Sequence, residues 1–320
     1  MDVSIIIAVY NREDFIERCL QSVLAQDFKG GYEIIVVDDG SVDGTKDVLD
    51  NFKKYPNLRV VFHDANKGLM CSRNTGIDLS KGGFIAFTDS DCIVERNWLE
   101  ELLKPFSLDE RIAVVGGRIL DPPATNYWEL VNSGSNFIAR QSGYVREIIG
   151  CNMAYRRQFL MENRFDTTFK FCAGDDVDLC FRAQQTGKSI YYTQAARVIH
   201  YHRSLFKNTL QQQFGYGFMR VYINLKYFKF PFVNIGTIVI AVSVILACIG
   251  IYLKSLLFLE FGVTFFSIYL FLILYLCFRS KQGNPLLIIY SFPGQLIASS
   301  VNCGGNIYFL VKKFFKMIGV

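Results

Sequence analysis

The chain has 320 residues, is 51% hydrophobic and carries a formal charge of +5. That length holds one full globular domain and a further element. The charge is lopsided: residues 206–320 carry ten basic side chains against one acid, Glu260, whereas residues 1–205 are net −4. A basic excess confined to the apolar C-terminal third is the pattern of a membrane protein with cytoplasmic flanks, and it argues against a nucleic-acid-binding face.

Val3–Val9 (VSIIIAV) is a continuous β-branched run that reads as a buried strand. A helix follows over about Arg12–Gln26, with Phe15, Cys19, Leu20 and Val23 on one face. Glu33–Val37 (EIIVV) is a second strand, ending in Asp38-Asp39-Gly40-Ser41, and a helix runs from about Gly44 to Tyr55. Arg59–Phe62, a helix over Met70–Ser80 and the strand Gly83–Thr88 complete an alternation that predicts an α/β fold with a mostly parallel central sheet and helices on both faces. Ligands bind such sheets at the carboxyl ends of their strands. Asp38, Asp39, Asp89 and Asp91 fall there. Further on, Ile112–Gly116 and Cys151–Tyr155 read as strands, Asp121–Asn136 as a loop behind Pro122-Pro123, and Asp176–Thr186 as a helix.

Two uncharged stretches follow, Phe232–Leu253 with 22 residues and Phe261–Phe278 with 18. Each is long enough to cross roughly 30 Å of hydrocarbon. Lys226 and Lys229 precede the first and Arg279 and Lys281 follow the second, so a transmembrane hairpin with both ends cytoplasmic is expected. Two buried core helices are the competing reading. The third apolar stretch, Pro285–Val311, holds Pro293, Gly294, Gln295 and Asn302 and precedes Lys312, Lys313 and Lys316. It is expected to lie at the interface or re-enter the bilayer, with the basic tail on anionic lipid. The resulting division is a catalytic domain over 1–205, a juxtamembrane amphipathic segment over 206–230, two transmembrane helices over 231–279 and the interfacial segment over 280–320. A multi-pass cell-membrane protein with a cytoplasmic catalytic domain is expected.

Nine cysteines lie scattered with no C-x-x-C pair. Neither a metal cage nor a disulfide framework is expected from them, and a reducing compartment is the simplest reading. No basic n-region or cleavage site precedes the first strand, so no signal peptide is expected.

The acids carry the chemistry. Asp38 and Asp39 close a buried strand, where they either recognise a base or ribose through N–H and O–H donors or build an Asx turn and helix cap. Asp89-Ser90-Asp91 is a second pair, suited to holding a ribose with one carboxylate and a hard divalent cation with the other. Gly174-Asp175-Asp176-Val177-Asp178 opens a helix; capping explains Asp178, and one of the others can serve as a general base. His200 and His202 stand two apart and share a face if extended, as a metal or diphosphate pair would. Lys67-Gly68 and Ser72-Arg73-Asn74 lie between the second and fourth strands, where Arg73 can reach a diphosphate or face solvent.

Taken together, VSIIIAVYN, VVDDGSVDGT, NKGLMCSRNTG, FTDSDC, GCNMAYRR, GDDVDLCFR and VIHYHR, in this order over residues 3–204, resemble the family-2 glycosyltransferases of the GT-A fold. The resemblance implies inverting, metal-dependent transfer from a nucleotide-diphosphate sugar. It places Tyr10, Asn11, Asp38, Asp39 and Asp89 around the donor, Asp91 and His200 or His202 at a Mg²⁺ or Mn²⁺ ion, and Asp176 as the catalytic base; Gly68 and Arg73, from the residue reading, are expected at the donor beside them. Asp175, Phe214 and Tyr216 are expected at the acceptor, a glycan that is lipid-linked or close to the membrane. Two departures stand out: Asp175 replaces the family's usual glutamate, and Asn163-Arg164-Phe165 replaces a Gly-Gly-Phe turn. Membrane lipid is a further expected partner; nucleic acid is not. A non-catalytic nucleotide-sugar-binding membrane scaffold and a polysaccharide-extending synthase are the alternatives. A dinucleotide oxidoreductase is disfavoured because no G-x-G-x-x-G follows the first strand, and two spans make too small a pore for a transporter.

Overall fold

The computed structural model describes residues 1–132, 141–169, 174–201, 206–228, 235–280 and 285–317. The chain forms two compact units, one of residues 1–122 and 139–201, the other of residues 123–138 and 202–320.

The first unit is built on one sheet. Its strands are β1 (Val3–Val9), β2 (Tyr32–Asp38), β3 (Leu58–Phe62), β4 (Phe84–Thr88), β5 (Cys92–Val94), β6 (Ile112–Leu120), β7 (Gly143–Val145), β8 (Asn152–Arg156) and β9 (Ser189–His200). Their spatial order is β3-β2-β1-β4-β8-β6-β9-β5, with β7 also on β9. The helices of this unit are α1 (Ile16–Leu24), α2 (Thr45–Asp50), α3 (Leu69–Leu79), α4 (Trp98–Leu103), α6 (Arg157–Glu162) and α7 (Asp175–Gln185); α5 (Tyr127–Asn132) belongs to the second unit.

The expectation of a mostly parallel sheet holds only for β3-β2-β1-β4. Beyond β4 the strands pair antiparallel, except β6 with β9, so the sheet is mixed. The first four strands are joined through helices, which forces parallel neighbours; β8 enters beside β4 from the opposite direction and turns the pattern over. The central strands β1, β2 and β4 are continuous apolar runs because both faces are covered. Trp98 of α4 is fully buried, and its indole N–H donates to Asn152 at 2.8 Å. The Asn152 amide donates in turn to the Arg118 and Ala196 carbonyls at 2.9 and 3.0 Å, which ties β8 to β6 and β9.

The stretch expected as a loop at Asp121–Asn136 contains α5. The Asn126 carbonyl accepts from Leu130 N at 3.1 Å, and Glu129 Oε2 accepts from the Thr125 backbone N–H and hydroxyl, each at 2.8 Å. These local bonds start a helix that an apolar pattern does not announce. Residues 133–136 of that stretch lie outside the described residues.

The second unit adds α8 (Phe206–Phe228), α9 (Ile235–Leu253), α10 (Leu256–Ser280) and α11 (Pro285–Met317). α9 ends where Lys254 takes a left-handed φ of 53° and Ser255 N–H returns to the Gly250 carbonyl at 2.9 Å. This closes the helix end and lets α10 begin at once. Among the described residues, one segment is long and apolar enough to cross a membrane, Leu256–Tyr275; the apolar part of α9, Thr237–Leu253, is shorter. One expected span is thus carried by α10, and residues 232–234 of the other, Phe232–Leu253, lie outside the described residues. Residues 285–311, expected as an interfacial or re-entrant segment, belong to one 33-residue helix with Pro293 inside it.

Candidate active site

β2 delivers Asp38 and Asp39 to the carboxyl edge of the sheet, but to different partners. Asp38 is fully buried and accepts the Ser41 hydroxyl, with the Ser41 N–H at 3.3 Å. Ser41 Oγ also accepts Asn11 N–H at 2.9 Å, and Asn11 Oδ1 accepts Val42 N–H at 2.9 Å. Asn11 holds φ 51°, a left-handed conformation that asparagine tolerates better than most residues. Asp38 and Asn11 therefore lock the loop after β1 to the loop after β2, the turn-building reading weighed from sequence. Tyr10, which follows β1, is 42% exposed.

The Asp39 carboxylate accepts Lys67 N–H at 3.0 Å, Gly68 N–H at 2.8 Å and the His63 ring at Nδ1, 2.7 Å away. His63 Nε2 lies 3.0 Å from the Thr75 hydroxyl. Gly68 reaches Asp39 because it sits at φ +95°, which L side chains rarely adopt, immediately before α3. Asp39 is thus buried, hydrogen-bonded and fixed in direction.

Arg73 of α3, expected at the diphosphate, is held by carboxylates of its own unit. It is 3% exposed and forms an ion pair with Asp175, donates to Asp89 at 3.0 Å and reaches the Gly150 carbonyl at 3.4 Å. Its guanidinium also lies 5.3 Å from the Phe165 ring. The fork of five donors suits two carboxylates at once. Asp175, expected near the acceptor, is likewise buried and spent on Arg73. The Asn163-Arg164-Phe165 departure is absorbed by Asn74, whose amide exchanges hydrogen bonds with the Phe165 backbone at 2.9 and 3.0 Å.

Asp176 follows Gly174, the left-handed residue (φ 82°) that starts α7. Its carboxylate accepts Gly150 N–H and Val177 N–H, each at 2.8 Å. Burial, reinforced by the adjacent Asp175 carboxylate, pushes its pKa up from 3.8 to about 7. A carboxylate poised there exchanges protons near neutrality, as a general base requires. Asp178 is fully buried and paired with Arg182 at 2.8 Å, a helix-internal role.

Asp91 and His200 meet through strand register. β5 pairs antiparallel with β9, Cys92 opposite His200, and Tyr201 N–H donates to the Asp91 carbonyl at 3.0 Å. His200 Nε2 lies 3.5 Å from Asp91 and Arg12 Nε 3.7 Å from it. Burial disfavours the charged ring, but Cys151, Asp91 and Asp89 outweigh it and hold the His200 pKa up to about 10. One donor atom from each of Asp89, Asp91 and His200 lies within 4.8 Å of the others. Two carboxylates and one imidazole are oxygen-rich donors that fit a hard or borderline divalent cation. His202 lies outside the described residues. Phe214 and Tyr216 belong to α8 in the second unit, where Phe214 lies 5.6 Å from the Tyr308 ring and the Tyr216 hydroxyl accepts the Gln212 amide at 2.9 Å.

Sequence reading missed Arg12, His63, Cys92 and Cys151. His63 had a signal, being one of only three histidines. Arg12 directly follows Tyr10-Asn11. The cysteines had none, because their neighbours come from distant strands.

The model of the family described as Glycosyl transferase family 2 matches residues 4–164. Glycosyltransferase AglE of Haloferax volcanii is 33% identical over 219 residues, 67% of this chain and 71% of that protein. The glucosyl-dolichyl phosphate glucuronosyltransferase of the same organism is 26% identical, over 71% of this chain and 79% of its own. Among solved structures, the mannosyltransferase PcManGT of Pyrobaculum calidifontis, in complex with GDP-Man and Mn²⁺, aligns with a TM-score of 0.64 at 17% identity, over 97% of this chain and 87% of that one. With a GT-A fold and a family match over half its length, this chain belongs to glycosyl transferase family 2 and is a glycosyltransferase.

Proposed function

We propose that this glycosyltransferase moves a sugar, with inversion, from a nucleotide-diphosphate donor to a hydroxyl of a lipid-linked or membrane-proximal acceptor. The observation that carries the reading is Asp176, a carboxylate tuned to about 7 in the same cluster as Asp89 and Asp175.

In this reading Asp39, held by His63 and two backbone amides, faces the nucleobase, with Tyr10 beside it and Asn11 fixing the loop. Asp89 borders the ribose. Asp91 and His200, with Asp89 in reach, would hold a divalent cation, whose chemistry is to neutralise charge on the departing diphosphate. Asp176 takes the proton from the acceptor hydroxyl, and the oxygen attacks the anomeric carbon from the face opposite the diphosphate. Arg73 acts through its partners, holding Asp89 and Asp175 in place.

A lipid-linked acceptor is supported by the dolichyl phosphate in the name of one relative, and membrane attachment by the apolar span Leu256–Tyr275 with basic residues around it. The GDP-Man and Mn²⁺ bound to PcManGT support a nucleotide-sugar donor and a divalent cation.

The test is a panel of nucleotide sugars given to the purified full chain, with Mn²⁺, with Mg²⁺ and with chelator. The reading predicts cation-dependent donor turnover that Asp91→Ala loses. Turnover that survives chelation, or Mn²⁺-dependent donor binding unchanged in Asp91→Ala, would remove the metal from the account.

A further inference from the structure

Beside the carboxylates lies a second group of metal-ligating atoms. The Sγ atoms of Cys92 and Cys151 and a ring nitrogen of His200 lie within 4.8 Å of one another. Strand register assembles the group. Cys92 opens β5 opposite His200 of β9, and Cys151 immediately precedes β8. Both thiols are buried, 1% and 4% exposed, and both are free of disulfide bonds.

Two thiols and an imidazole are a different donor set from Asp89, Asp91 and His200. Soft sulfur selects zinc-class cations, while carboxylate oxygen suits magnesium and manganese. Donors on one tetrahedral zinc lie roughly 3.5–3.8 Å apart, given Zn–S near 2.3 Å and Zn–N near 2.0 Å. A group already within 4.8 Å therefore closes by small side-chain rotations.

We propose that Cys92, Cys151 and His200 form a site for a soft divalent cation of the zinc class, with a fourth position left to water or a carboxylate. His200 is common to this group and to the carboxylate group, so an ion on the thiolates takes the imidazole from the other set. Zinc binding therefore opposes manganese binding and inhibits transfer. This second consequence, unlike the thiolate site itself, rests on the function proposed above.

The zinc-edge X-ray absorption of the unsubstituted chain, loaded with one equivalent of Zn²⁺ and compared with a double variant, tests the site. The expected spectrum has two sulfur scatterers at about 2.3 Å, both lost in Cys92→Ala/Cys151→Ala. A shell of nitrogen and oxygen only, or sulfur scattering that persists in the double variant, overturns the thiolate site. If the two sulfurs are present, Zn²⁺ is titrated against Mn²⁺-supported transfer. Inhibition relieved in Cys151→Ala supports the shared imidazole, and inhibition of equal strength in that variant contradicts it.

Discussion

Two pairs of adjacent aspartates, Asp38-Asp39 and Asp175-Asp176, stand in the same unit and are treated in opposite ways. The first pair is held largely by backbone N–H groups, a hydroxyl and His63. The second pair depends on one guanidinium, which Asp175 shares with Asp89. Asp176 keeps two backbone amides and a like-charged neighbour, and its proton affinity rises. A carboxylate surrounded by neutral donors is a fixed recognition point; one that is buried and crowded by charge is a proton acceptor.

The comparison breaks first at Asp176. Asp176→Asn is expected to lower kcat by roughly 10²–10⁴-fold with donor binding unchanged, read by steady-state kinetics beside a donor titration. The same variant carries a stability signature. The folded pKa of about 7 exceeds the ordinary 3.8, so between those values the folded chain holds a proton that the unfolded chain releases. Stability at this site therefore falls as pH rises through that window. Above it, Asp176→Asn should melt higher than the wild type, and a lower melting point at pH 8 would point to a structural role.

Next comes Arg73→Met, which leaves Asp89 and Asp175 without their cation. A loss of about 3–5 kcal/mol is expected from stranding buried charge, measured by denaturant unfolding of the purified protein. Arg73→Lys should not restore it, because one ammonium cannot reproduce the fork that bridges two carboxylates. The smallest effect falls on the first pair: Ser41→Ala removes the hydroxyl that donates to Asp38 and accepts Asn11 N–H, and should cost about 1.5–3 kcal/mol, with kcat kept. A kcat loss there as large as that of Asp176→Asn would erase the distinction between the two pairs.

Strands β1, β2 and β4 were legible because continuous β-branched runs allow little else, and the placement of Asp38, Asp39, Asp89 and Asp91 at strand ends followed from them. The second half of the sheet was harder to read. β9, Ser189–His200, carries Tyr191, Tyr192, Gln194 and Arg197 and lacks the clean alternation of a strand with one wet face. Its pairing with β5, which brings His200 to Asp91, is a matter of register that no local pattern records. Arg73 meets Asp175 across 102 residues of sequence, a pairing that no local pattern records. The thiols of Cys92 and Cys151 escaped for the same reason. Local propensity finds elements and edges; which charges meet is decided by long-range pairing.

The most direct measurement is the pH dependence of kcat/KM for donor transfer by the full chain at saturating Mn²⁺. If Asp176 is the base, the rate climbs about tenfold per pH unit on the acid side and levels off above an apparent pKa of about 7. A profile that is flat from about pH 5 to 8 would mean that no group poised near neutrality takes the acceptor's proton, and Asp176 would lose its role.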